Sequence, residues 1–309
     1  RRSDFDGVAR TDAAGFTIGN KGYICGGYNG KTTRLADTWE YDIDNDWWTQ
    51  RADMPGTVRN AATGFSVGSK GYVTTGYNPD QKYLADTWEY DPETNTWRQM
   101  DDFKGGARYY ALGFGIDNYG YVGTGYNDNY LKDFYRFDPT AAAGSQWTIV
   151  NGFGGQKRQG ATAFVIDGKA YVCGGQNNNS DVSDFWRFDP SAATPWTQLR
   201  DIANTSDDDY DDDYTSIVRS YGVSFVIDGK AYLTLGSTAG GSYYSNYWIY
   251  DPETDLWEGD DLTAFEGSTR IHAVCFSTGT RGIIATGGSG SSSYFDDTWE
   301  LKPYEYEEE

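Results

Sequence analysis

Histidine is nearly missing from this sequence: its 309 residues contain one, His272. A Ser-His-Asp triad would have to be built around that ring, and the sequence nominates no nucleophile beside it. Cysteine is scarce as well, at Cys25, Cys173 and Cys275. An odd count without metal-ligand spacing argues against a disulfide scaffold or a zinc site and for free, structural thiols. No apolar run approaches the roughly 18 residues that indicate a membrane span. Nowhere does a 3.6-residue apolar period last over a helix length. Basic residues are outnumbered, 25 to 46, and the net charge of -21 makes nucleic acid or an anionic membrane an unfavourable partner, since no concentrated basic patch offsets the repulsion.

What the chain does have is glycine, 39 residues, and aromatics at 17%, spread evenly in short runs with no linker between them. That punctuation predicts an all-β protein. One pattern recurs six times, anchored on Arg10, Arg59, Arg108, Arg158, Arg219 and Arg270. A segment ending in Phe follows each Arg (Phe16, Phe65, Phe114, Phe164, Phe225, Phe276), then a turn such as Gly19-Asn20 or Asp167-Gly168 that tolerates positive φ, then an apolar run ending in glycine. A third strand reads Asp or Asn, any residue, aromatic, any residue, aromatic or Leu, from Asp37-Thr-Trp39-Glu-Tyr41 to Asp297-Thr-Trp299-Glu-Leu301. Asp-Pro turns follow in four units, and a fourth strand opens with Trp48, Trp97, Trp147, Trp196 and Trp257.

Four strands in a unit of about 50 residues is the period of a propeller blade. Gly26-Gly27, the aromatic Tyr23 before them and the later Trp48 resemble the kelch-repeat family, and related residues recur over nearly the whole chain. The double glycine is kept only there and at Gly174-Gly175; elsewhere it reads Thr75-Gly76, Thr124-Gly125, Leu235-Gly236 and Thr286-Gly287. The expected fold is one six-bladed kelch propeller over 1–309. Its blades fall at about 10–50, 59–99, 108–149, 158–198, 219–259 and 270–302 plus 1–9. Arg1 to Arg10 aligns with Gln50 to Arg59, so the N-terminal strand is expected to close the ring, the sixth Trp lying about two residues upstream, with Tyr304 to Tyr306 not paired beside Trp299.

A residue present in every blade serves the blade before it serves a ligand. The small residues before each Phe (Gly15, Gly64, Gly113, Ala163, Ser224, Cys275) suit an innermost strand crowded at the axis. The six arginines are expected to pair with carboxylates or carbonyls, in preference to forming a cationic ring for an anion. Ligand contacts are expected where the connections from strand two to three and from strand four to one share a face. The candidates there are Tyr28, Asn29, Asn60, Tyr77, Asn78, Tyr109, Tyr110, Tyr126, Asn127, Gln159, Gln176, Asn177, Tyr221 and His272. Tyrosine rings stack on sugars or pack peptides, and amides offer donors and acceptors; the competing reading is that Tyr-Asn simply shapes each loop. Tyr109, Tyr110, Gln159 and His272 break the repeat and are the stronger candidates.

Between Trp196 and Arg219 lies an insert carrying Asp207-Asp208-Asp209-Tyr210-Asp211-Asp212-Asp213. It is expected on the same face, overhanging the pocket as a solvated acidic loop. It lacks the glycine and spaced ligands of an EF-type calcium site, so no metal and no cofactor is assigned.

Family members commonly bind ligands through these loops, which the resemblance implies for this chain. The copper oxidases of kelch-like fold use two histidine ligands, and the iron-binding kelch proteins a histidine in an acidic motif, neither of which is found. The expected function is a non-enzymatic binding or adhesion module for a glycan or a protein segment. The alternatives are a carbohydrate-directed enzyme resembling the kelch-type sialic-acid mutarotase, with Asp12 or an insert Asp as acid/base beside an Arg, and an intracellular kelch adaptor. Export, to the periplasm, the cell surface or the medium, is expected from the Tyr, Trp, Asn and Gly richness, the acidic balance and the absence of an initiator Met.

Overall fold

Strands this short, joined by turns at positive φ, bury their aromatics by packing four-stranded sheets face to face. The computed structural model describes residues 1–30, 33–259 and 263–303, and its sheets form a ring of six antiparallel blades. The first blade runs outward as Ala14–Ile18, Lys21–Cys25, Thr38–Asp42 and Trp47–Arg51. Blades two to five repeat that order.

Crowding at the axis fixes residue size there. A Cβ added to Gly15 would lie 2.1 Å from Val274 Cγ1 of the sixth blade, and one on Gly22 would lie 2.2 Å from the Phe276 ring. In blades one to five the Phe of the first strand stacks on the Tyr of the second, as Phe16 on Tyr23 at 5.0 Å, and in blades one to four it also meets the next blade's aromatics, as Tyr90 at 6.5 Å; in blade six Phe276 faces Ile283 instead. Burying each such ring stabilises the fold by ~1.5–3 kcal/mol. First-strand ring contacts thus join the blades except between five and six, where Phe225 and Tyr232 pack with Ile284 and Leu301.

The N-terminal segment closes the sixth blade, whose other strands are Val274–Ser277, Gly282–Ala285 and Thr298–Leu301. Arg2 N–H donates to the Thr298 carbonyl at 2.9 Å, the place that Arg51 takes opposite Thr38 in blade one. Phe5 N–H donates to Asp296 O at 2.5 Å, as Met54 N–H does to Ala36 O at 2.9 Å. Residues 1–5 form no regular strand but keep its register. Tyr304 to Tyr306 lie outside the described residues.

The double glycine has a physical explanation. Its first position sits at φ 58–67° in all six blades (Gly26, Thr75, Thr124, Gly174, Leu235, Thr286), a left-handed conformation that costs a side chain ~1–2 kcal/mol but is reachable. The second position sits at φ 86–111° and is glycine every time. Only the second requirement is strict.

The acidic insert departs from expectation. Tyr214 and Ile217 pack with Ile202, Trp248 and Trp257 in the core shared by blades four and five, and the Tyr214 hydroxyl accepts the Trp257 N–H at 2.7 Å. Trp257 lies on an outermost strand, so the insert is held on the outer flank instead of overhanging the mouth. Asp211 is fully buried and accepts the N–H groups of Thr205 and Ser206, both at 2.9 Å. The run is thus part anchor, through Asp211 and the tyrosines interleaved with it, and part solvated charge. Among the described residues no three His, Cys, Asp or Glu side chains converge as a metal site.

Candidate functional site at the propeller mouth

Each of the six arginines is at most 1% exposed, and each guanidinium is consumed inside its blade. Arg10 forks onto Asp37 at 2.6 and 2.7 Å and also donates to the carbonyls of Val8 and Gly26. Arg59–Asp86, Arg108–Asp133, Arg158–Asp184 and Arg270–Asp297 repeat the arrangement. Arg219 faces Asn246, with its Nη2 3.1 Å from Oδ1. These arginines are structural and form no cationic ring.

Immediately after each arginine the chain pairs with the residue following the strand-two glycine. Thr11 with Tyr28, Asn60 with Tyr77, Tyr109 with Tyr126, Gln159 with Gln176, Ser220 with Ser237 and Ile271 with Gly288 form antiparallel bridges. The two groups of predicted residues are thereby brought to one end of the channel. One residue further on, Asp12, Ala61, Tyr110, Gly160, Tyr221 and His272 all take φ between 51° and 63°. Their backbones close a circle: each N–H donates to the carbonyl of its counterpart in the preceding blade, from Ala61 to Asp12 at 2.8 Å round to Asp12 to His272 at 3.3 Å.

The side chains of that circle fill the axis. His272 Nδ1 lies 3.0 Å from Asp12 Oδ1, and the Tyr110 hydroxyl donates to the same oxygen at 2.7 Å. The imidazole stacks on Tyr110 at 5.0 Å and meets Tyr221 at 4.2 Å. Burial pushes the Asp12 carboxyl up, but its contacts with His272, Tyr110 and Thr11 outweigh that and hold it below its ordinary value. Burial, with Asp12 beside it, raises Tyr110 well above the usual phenol range. Tyr221 is raised chiefly by burial; its oxygen accepts Gln159 Nε2 at 2.8 Å and Gln176 Nε2 at 2.6 Å. With both lone pairs engaged, the Tyr221 O–H is left as a donor. Gln159 Oε1 is buried without a partner among the described residues. Below the circle the channel is a cavity of about 180 Å³ lined by strand-one residues, Cys275 among them.

A tyrosine pavement spreads from this axis over blades one to three. Tyr109 meets Tyr77 at 5.6 Å, Tyr110 at 4.8 Å, Tyr126 at 5.7 Å and Tyr83, in parallel, at 5.7 Å. Arg34 lies over Tyr28 at 4.6 Å and over Tyr77 at 5.5 Å while donating to Asn60 Oδ1 at 3.0 Å. The Tyr83 hydroxyl donates to Asp128 at 2.7 Å.

Not every predicted residue joins this surface. Asn78 is buried, donates to Val58 O at 2.8 Å and accepts the Asp80 N–H at 2.9 Å, so it shapes its loop. Asn127 does the same through Ala107 O at 3.3 Å. Asn177 pairs with Ser180 in a two-residue ribbon, and Asn29 N–H bonds to Thr33 O at 3.3 Å. Arg34, Tyr83 and Asp128 were not predicted. They lie in strand-two-to-three loops of unequal length, where the repeat gives no register. Asp12, considered only as an acid/base, shares the ring position of Tyr110, Tyr221 and His272, which was the available signal.

Comparison with known proteins bears on the fold. The Kelch motif matches residues 9–55, 59–104 and 157–199, and those segments are blades one, two and four of the ring. The chain is a kelch-repeat propeller. The solved structure of YjhT superposes on this propeller with a TM-score of 0.77, covering 96% of this chain and 95% of that one at 15% identity. At that identity the likeness is one of fold alone. No curated protein matches the propeller in sequence.

Proposed function

We propose that this propeller is a non-enzymatic binding or adhesion module that takes a glycan or an extended protein segment on its tyrosine mouth. The observation that carries this reading is the unbroken aromatic surface from Tyr28 and Arg34 through Tyr77, Tyr83 and Tyr109 to Tyr110 and Tyr221. Such rings offer large, rigid contact area, and the Tyr221 O–H with the orphaned Gln159 Oε1 gives a donor and an acceptor at its inner edge. The surface is lopsided, because Ser237 and Gly288 stand in blades five and six where tyrosine or glutamine stands in the others. That favours a ligand lying off-axis across blades one to four. Export belongs to the same proposal and rests on composition; cell fractionation of the native source tests it.

A second reading, a carbohydrate-directed enzyme, draws on the Asp12–His272 pair. Against it, Asp12 is engaged by His272 and Tyr110, and among the described residues the six ring arginines are all engaged within their blades. None of these six guanidinium groups is therefore free to anchor an anion beside Asp12.

A glycan array probed with the wild type, Tyr77→Ala and Tyr109→Ala tests the proposal. Binding that the variants abolish supports the glycan reading. Silence on glycans together with silence on a peptide array overturns the binding module.

A further inference from the structure

We propose that the cleft between blades three and four, on the face opposite the tyrosine mouth, is a second binding site, for a small carboxylate with an apolar body. It is independent of the mouth. The comparison among blades carries it.

In blade one the Tyr23 hydroxyl donates to Glu40 at 2.9 Å, and Glu40 also takes Lys21 and Arg51, each at 2.8 Å. Blade two repeats this with Tyr72, Glu89 and Arg98 at 2.8 and 2.7 Å. Blade six pairs Glu300 with Arg281. Blade three inverts the sign. Arg136 stands in the register of Glu40, opposite Tyr121 on one side and Thr148 on the other.

Of the arrangement in blades one and two only the tyrosine, Tyr121, is kept: Tyr119 stands in the register of Lys21 and Thr148 in that of Arg98, so no acid faces Arg136 across the strands. Among the described residues Arg136 makes no ion pair and no hydrogen bond; it lies over the Tyr119 ring at 4.4 Å and attracts Asp138 only from beyond contact distance. Asp138, two residues along, takes the N–H and hydroxyl of Thr140 at 2.9 and 2.7 Å. Beside Arg136 lies a cavity of about 270 Å³ walled by Tyr121 and Thr148 on blade three and by Phe188, Pro190 and Pro195 on blade four. Blade four makes the same exchange at Arg187, whose Nε is buried without a partner.

A guanidinium fork matches a carboxylate in two parallel bonds, and the Tyr121 hydroxyl opposite it is a donor of the kind that Tyr23 supplies to Glu40. Phe188, Pro190 and Pro195 offer the ligand's body an apolar wall. The cavity lies just under the ~300 Å³ at which ligand pockets begin. It fits an acid the size of benzoate or hexanoate.

Isothermal titration with benzoate and hexanoate tests the site, with benzyl alcohol and inorganic phosphate as controls. The wild type is expected to bind at least one acid saturably and neither control. Arg136→Gln is expected to weaken binding at least about tenfold and Tyr121→Phe by a smaller factor, while Tyr109→Ala at the mouth changes nothing. Arg136→Glu combined with Thr148→Arg rebuilds the blade-two triplet; it should melt like the wild type and bind no acid. No saturable binding by the wild type, phosphate binding as tightly as benzoate, or full affinity in Arg136→Gln overturns the proposal.

Discussion

Asp12 of the first blade and His272 of the sixth face each other at 3.0 Å across the seam where the ring closes. Their backbones are joined as well, Asp12 N–H to His272 O at 3.3 Å. The pair both closes the axis and supports the innermost part of the mouth.

Asp12→Asn should destabilise the fold by ~1–3 kcal/mol, because it disturbs a buried charged network and leaves polar groups short of partners. The sign of the pH dependence follows from Asp12's depressed value. Its stabilisation is full above the unfolded carboxyl pKa of ~3.9 and is lost as pH falls through the lower folded value. Urea denaturation should show the gap between wild type and variant near neutrality and a narrowing gap in strong acid. A constant gap contradicts the pairing.

The buried arginines give a paired prediction. Arg59→Met leaves Asp86 without its partner and should cost ~3–5 kcal/mol, with ligand binding retained by whatever protein stays folded. In blade five, Asn246 occupies the place of that aspartate, and burial lowers Arg219 to about 10. Asn246→Asp should therefore raise the melting temperature at neutral pH and lose that gain in acid, where the new carboxylate protonates. Thermal denaturation at the two pH values checks both signs.

Ring closure is testable at Phe5, which is 3% exposed and packs edge-on against Trp48 at 4.8 Å and Trp39 at 5.4 Å. Phe5→Ala should cost ~3–5 kcal/mol even though it lies outside any regular strand. A loss below about 1 kcal/mol, the usual effect of surface change, would show that the N-terminal segment does not complete blade six.

The fold was legible because the repeat spacing carries it. Each Arg, Phe, glycine and Trp recurs at a nearly constant interval, and burial of each has the same cause in every blade. The geometry of the candidate site was legible where its residues hold the repeat's positions while departing from its residue types, so that Tyr109, Tyr110, Gln159, Tyr221 and His272 meet at one end of the channel. Arg34 and Tyr83 were invisible because loop length varies between blades. The insert was misplaced because its aspartates read as solvated charge, whereas Tyr210 and Tyr214 fix it to the flank through Arg200 at 4.6 Å and Trp248 at 5.8 Å. The exchange of Glu for Arg at Arg136 and Arg187 fell on a position where the repeat tolerates any residue, so only the cross-strand pairing exposed it.

The central claim is that the tyrosine mouth binds ligand through rings that break the repeat. The most direct measurement is the affinity of Tyr109→Ala for whichever glycan or peptide the wild type selects from an array, set beside Asn78→Ala in a loop-shaping position. A loss of at least about tenfold, ~1.4 kcal/mol, for Tyr109→Ala, with near-normal affinity for folded Asn78→Ala, is the predicted result. Unchanged affinity in Tyr109→Ala would contradict the account.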